Sequence, residues 1–164
     1  MSAPVVLPQI SYTGPGFDVA FMASLHEYGF AVVVDHPLDD DRVARIYCEW
    51  LAFFSSGEAV SFRMDPVKQD GYFSLEEAEH AKGFVERDFK EYFQFYPWGR
   101  CPGPLQADLA SHFDAAVELG AELLSCIANS LPEAVTAELK EPLGEMIQGS
   151  EQSMLRVLHY PPVN

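Results

Sequence analysis

The sequence is short of positive charge. Ten Lys and Arg stand against 25 Asp and Glu, a net charge of −15. A phosphate backbone or an anionic membrane surface needs basic residues gathered on one face, so neither is an expected partner. Cysteine is also scarce: Cys48, Cys101 and Cys126 are scattered, and no C-x-x-C pair occurs. That excludes a disulfide framework and a cysteine zinc site, and reduced thiols in a cytoplasmic setting are the expectation. No apolar run approaches the roughly 18 residues of a membrane span. The first residues, Met-Ser-Ala-Pro-Val-Val-Leu-Pro, lack the basic and apolar regions of a secretory signal. Also missing are G-x-S-x-G, a Walker loop, G-x-G-x-x-G and H-E-x-x-H. No complete catalytic set can be assembled from the residues alone.

What the sequence does have is apolar material, 48% of its residues. That is enough for a packed core. Val5 to Ile10 reads as a short edge strand, with Pro8 keeping it at an edge. Apolar residues at Phe17, Phe21, Leu25 and Tyr28 predict a helix over 17–28, ended by Gly29. Phe30 to Val34 predicts a buried strand. Asp39-Asp40-Asp41 could be an acidic metal cluster, but it fits an N-cap and first turn better. Val43, Ile46, Tyr47, Trp50, Leu51 and Phe54 then form one apolar helical stripe. Val60 to Asp70 reads as a loop or short strand, and Gly71 to Ser74 as a turn into an extended piece. Glu76, Glu77 and Glu79 read as a solvated helix face. Phe84 to Trp98 is dense in aromatics, with a strand around Phe93-Gln94-Phe95. Core packing explains these rings better than an aromatic ligand groove does.

The longest element is predicted from Leu105 to Leu131, where Leu109, Phe113, Ala116, Leu119, Leu123 and Ile127 keep helical period. At about 1.5 Å per residue it is a rod of roughly 35–40 Å, a spine for a sheet. A shorter helix follows over 132–139, then irregular chain to Ser150. Ser153 to Pro162 is the final strand, closed by Pro161-Pro162. Nothing after it could pair with it, so it reads as an orphan strand and a self-association edge.

Of five histidines, only His112 belongs to an H-x-D triplet, His112-Phe113-Asp114. Residues two apart on a helix point about 200° apart, so this pair is not expected to hold a metal. His36 reads as a turn residue, and a lone His159 as hydrogen-bonded structure. No residue is put forward as catalytic and none as a metal ligand.

Several stretches taken together resemble a family. Leu25-His26-Glu27-Tyr28-Gly29-Phe30-Ala31-Val32-Val33-Val34-Asp35-His36-Pro37-Leu38 is similar to its early helix, glycine, apolar strand and Asn/Asp-His-Gly segment, with Pro37 where glycine is usual. Gly71-Tyr72-Phe73 with Asp88-Phe89-Lys90-Glu91-Tyr92-Phe93 is similar to a "G-Y … D-x-K-E-x-F" pair, and Leu155-Arg156-Val157-Leu158-His159-Tyr160-Pro161-Pro162 to an "L-R-L-L-x-Y-P-P" strand. The family is the isopenicillin N synthase-like group of non-haem Fe(II), mostly 2-oxoglutarate-dependent, oxygenases.

The resemblance implies an α+β fold. A helical and mixed region (1–103) would be followed by the long helix and the short helix (104–150). Residues 151–164 would be the opening strand of a truncated double-stranded β-helix, or jelly roll. It implies that a complete member binds Fe(II) through H-x-D … H and 2-oxoglutarate through R-x-S, both beyond the Y-P-P strand. R-x-S is absent here, so neither cofactor is expected to bind these 164 residues. Tyr160 would face the active-site pocket, with Leu158 and Arg156 on the same strand face. Two functions follow: the N-terminal part of an oxygenase acting on a small molecule, inactive by itself, or a non-catalytic binding or dimerisation module. The partners implied are that substrate and either the missing C-terminal half or a second copy.

Overall fold

A computed structural model describes residues 6–77 and 89–162. Glu79, Phe84 and Asp88, each used above, and Val5 of the first strand lie outside the described residues. The chain divides into two compact units, the first from Met1–Leu38 and Ala115–Gln148, the second from Asp39–Asp114 and Gly149–Asn164.

In the first unit β1 (Gln9–Ser11) and β2 (Val32–Val34) pair in parallel, Ile10 opposite Val33. Parallel neighbours need a crossover, supplied by α1 (Phe17–Tyr28) with the predicted boundaries. Gly29 ends it with φ 80°, and its N–H donates to the Leu25 carbonyl at 2.9 Å. That left-handed backbone is why a glycine sits there. Phe17 stacks on Phe21 at 5.6 Å, and the Ser24 hydroxyl donates to the Phe30 carbonyl at 2.9 Å. The expectation of a buried strand over 30–34 is corrected. Val32–Val34 are only half-buried and Phe30 is exposed, because a two-stranded sheet has too little surface to enclose an apolar run.

The long helix, α3 (Gly103–Ser130), has 28 residues, about 42 Å at 1.5 Å per residue. Its later turns belong to the first unit. There Gly144 lies so close that a Cβ would come 2.8 Å from the Ala121 carbonyl and 2.6 Å from Ser125 Oγ. The predicted second helix is a single turn, α4 (Glu133–Thr136), and turns follow it.

The second unit carries the larger core. α2 (Asp40–Ser56) begins as predicted: Asp39 is the N-cap, its carboxylate accepting from Arg42 N–H at 3.1 Å. Its buried line is Ile46, Trp50 and Phe53. The predicted stripe is thus corrected. Phe53 belongs to the core, while Tyr47 (71% exposed) and Leu51 (54%) form a neighbouring row, about 100° round the helix. Arg45 grips Asp108 of α3 with two hydrogen bonds, 2.8 and 3.1 Å.

A short 3₁₀ helix, Glu58–Phe62, takes the first residues of the stretch expected as loop or strand, and loop follows to Asp70. Then come β3 (Gly71–Phe73), β4 (Glu91–Phe95) and β5 (Leu155–His159), an antiparallel sheet in the order β3-β4-β5. The orphan-strand expectation is therefore corrected: β5 turns back and pairs with β4, Phe93 opposite Val157 and Glu91 opposite His159. A central strand is covered on both faces, so all five β4 residues are buried rather than alternating. One face meets the helices, with Trp50 4.8 Å from Phe93 and Phe95 5.9 Å from Phe113. Tyr92, Phe93 and Phe95 of the aromatic run are core, whereas Phe89 and Trp98 are exposed. In the two units together the chain is a mixed α/β structure with one long helix and two small sheets.

Candidate functional site

Side chains alternate along β5, so its two faces carry different chemistry. Arg156 and Leu158 lie on the face turned away from α2, opposite Gln94 and Tyr92 of β4. The Arg156 guanidinium sits over the Tyr92 ring, 4.5 Å from its centroid, and donates to Gln94 Oε1 at 2.5 Å. Gln94 Nε2 in turn donates to the Gln69 carbonyl at 2.6 Å. The amide is thus fixed at both ends, and so is the arginine that leans on it. Phe73 continues the stack on the other side of Tyr92, with centroids 4.6 Å apart. Leu158 is 45% exposed, and Tyr160, one residue past the strand, is 64% exposed.

The loop that presents the Gln69 carbonyl is itself tightly held. Asp65 accepts from the Val67 and Lys68 N–H groups at 2.8 and 3.0 Å. Those bonds favour its charged form and hold its carboxyl below the ordinary value. Asp70 is almost wholly buried and accepts from the Arg100 backbone N–H at 2.7 Å. The Arg100 guanidinium also donates to the Arg63 carbonyl at 2.8 Å, tying three segments together. At Gly71 φ is 106°, and a Cβ would collide with the Phe62 carbonyl oxygen. Only glycine fits that position.

The opposite face carries a polar ladder across all three strands. Tyr72 donates to one oxygen of Glu91, and His159 Nδ1 lies 2.7 Å from the other. Burial first, and the bond to Glu91 second, push the Tyr72 phenol well above its ordinary range, so it stays a donor. An ionised Glu91 accepts from both sides and requires the His159 proton on Nδ1. The imidazole also stacks on Phe54, 5.4 Å away and 17° from parallel. His159 is hydrogen-bonded, as expected of a lone histidine on this strand. The Tyr72–Glu91–His159 set was not anticipated, although a glutamate inside an aromatic run was its one visible signal.

His112 and Asp114 both lie in α3, His112 half-buried and lining a groove beside β5, Asp114 exposed. Their spacing points them to different sides of the helix. Desolvation, then the nearby Arg42 charge, lowers the His112 pKa and favours the neutral ring. Among the described residues no three His, Cys, Asp or Glu side chains come together as a metal site. Among the described residues no side chains come together as an H-x-D … H set, and the sequence contains no R-x-S. No helix among the described residues is long and apolar enough to cross a membrane.

No family model matches the chain, and no curated protein matches it. Solved structures do. A candidate oxygenase from Shewanella oneidensis is 38% identical with a TM-score of 0.86, over 96% of this chain and 56% of its own. A candidate 2OG-Fe(II) oxygenase family protein from Caulobacter crescentus is 23% identical with a TM-score of 0.69, over 96% and 57%. A full-length Neurospora crassa protein, solved in complex with alpha-KG and thymine, is 16% identical with a TM-score of 0.63, over 96% and 56%. The chain spans little more than half the length of these proteins. In fold, it corresponds to the N-terminal part of a 2OG-Fe(II) oxygenase.

Proposed function

We propose that the chain is the N-terminal portion of an isopenicillin N synthase-like Fe(II)/2-oxoglutarate-dependent oxygenase acting on a small molecule. In this reading β5 opens a jelly roll, and the part of the fold outside these residues provides the iron ligands. The observation that carries it is the 38% identity to the Shewanella protein over 96% of the chain. The likeness to the Neurospora protein is one of fold, so thymine is not carried over.

The chain's own share is a pocket wall. Arg156, Leu158 and Tyr160 are proposed to line it, with Arg156 aimed by Gln94 and Tyr92. Bound Fe(II) and 2-oxoglutarate would supply the oxidising chemistry. The residues here would orient the substrate and exclude water. Two preparations test this. Alone, with Fe(II) and 2-oxoglutarate under anaerobic conditions, the chain is expected to give no metal-to-ligand absorption band. Joined at its C-terminus to the unmatched remainder of the Shewanella protein, it is expected to give that band and to release succinate. A tight one-to-one complex with the chain alone, or a silent joined protein, would refute the reading. A second reading, a non-catalytic binding or dimerisation module, is favoured by the exposed apolar row of Tyr47 and Leu51.

A further inference from the structure

Gln69 takes a left-handed backbone, φ 59°, which is costly for a residue with a Cβ. Its side chain is exposed, so packing does not account for that conformation. The loop around it spends its hydrogen bonds on holding the turn. Asp65 Oδ1 accepts from the Val67 and Lys68 N–H groups. The Gln69 N–H donates to the Asp65 carbonyl at 2.6 Å, and the Asp65 N–H donates to the Asp70 carbonyl at 3.1 Å. What the turn delivers is one atom: the Gln69 carbonyl oxygen, 2.6 Å from Nε2 of the buried Gln94. A carbonyl only accepts and a guanidinium only donates. The loop carbonyl therefore decides which end of the Gln94 amide faces Arg156. With Nε2 taken, Oε1 is the atom presented to the arginine, and the two are bonded. Turned over, the amide would set donor against donor. The Tyr92 ring attracts the guanidinium but tolerates sliding across its face, whereas a hydrogen bond is directional.

We infer that the loop from Asp65 to Asp70 positions Arg156. Asp65 and Gln69 are positioning residues, acting through the Gln94 amide rather than on a substrate. The costly backbone at Gln69 is held for the direction of its carbonyl, and Asp65 is the side chain that holds it. Removing the Asp65 carboxylate frees two N–H groups, lets Gln69 relax, and leaves the Gln94 amide without the partner that fixes its orientation. The inference rests on the reading above in one respect: Arg156 is taken there as part of a pocket wall, and the loop is what sets that group's direction.

The test reads Arg156 itself, in residues 1–164, by nitrogen-15 relaxation of its Nε–Hε group, assigned by the signal lost in Arg156→Lys. In the native chain the order parameter is expected in the rigid range, about 0.85, and in Asp65→Ala below about 0.6. Asp65→Asn keeps an acceptor for both N–H groups and is expected to restore the rigid value. Asp39→Ala, which removes a helix cap in the same unit, is the control for lost stability: the Tm falls and Arg156 stays rigid. An Arg156 that stays rigid in Asp65→Ala would overturn the inference. So would one that loosens equally in Asp39→Ala, or one already mobile in the native chain. Succinate release from the joined protein is scored separately. An Arg156 loosened by Asp65→Ala beside a silent joined protein keeps the positioning loop and removes the oxygenase reading; turnover with Arg156 rigid in Asp65→Ala does the reverse.

Discussion

At the scale of single residues, the Tyr72–Glu91–His159 ladder makes the clearest demands. Burial raises the Tyr72 pKa above the ordinary 10.0, so near and above pH 10 the unfolded chain loses a proton that the folded chain keeps. The unfolded state then binds fewer protons, and stability falls as pH rises. Urea unfolding of the native chain should therefore weaken between about pH 9 and 11. Tyr72→Phe should flatten that slope and cost about 1–2 kcal/mol at neutral pH by leaving a buried Glu91 oxygen without its donor. An unchanged slope in the variant would place the titration elsewhere. The thiols give a second check. Burial pushes Cys101 up to about 11 and raises Cys126, whereas Cys48 is exposed. A thiol reagent at pH 8 should modify Cys48 first and Cys101 last, as followed by mass spectrometry. Beyond a hydrogen-bonded His159, this was not legible beforehand. Hydrogen bonds between residues 19 and 68 positions apart leave no periodic trace in a single sequence.

At the scale of elements, local rules worked where the chain is local. The boundaries of α1, the Asp39 cap and the length of α3 were readable because glycine, aspartate and helical period act within a few residues. The buried row of α2 was misassigned. Its stripe is wider than one line of packing, and only the sheet decides which row it covers: Phe53 lies 6.0 Å from Phe93, while Tyr47 faces solvent. The strongest element-level prediction concerns Gly71, where both φ and contact demand glycine. Gly71→Ala should destabilise by about 2 kcal/mol or more, against about 1 kcal/mol for removing the helix cap with Asp39→Ala. Thermal melts of the two variants side by side would check the order.

At the scale of the whole molecule, the family resemblance was legible because four short stretches kept their order. What the resemblance could not convey was that β5 pairs backward within the same chain. The candidate pocket residues were placed by resemblance and strand alternation. The clamp on Arg156 could not be read, because Gln94 is 62 positions away. His112→Ala should leave any Fe(II) affinity unchanged in calorimetric titration, since its helix turns Asp114 away from it. A large loss would show that the pair does converge on a metal.

The backward pairing of β5 also bears on how the second unit assembles. β3 and β4 meet across 19 to 23 residues, but β5 reaches β4 only after a closure of 60 to 68. Each doubling of the loop adds about 0.6 kcal/mol of entropy cost that must be met before the contacts form. The β3–β4 pair should thus be present in the rate-limiting state for folding, and β5 should join after it. In stopped-flow experiments, Phe93→Ala would slow folding, whereas Val157→Ala would chiefly speed unfolding. The strand that carries the candidate pocket is then the last to arrive and the first to leave.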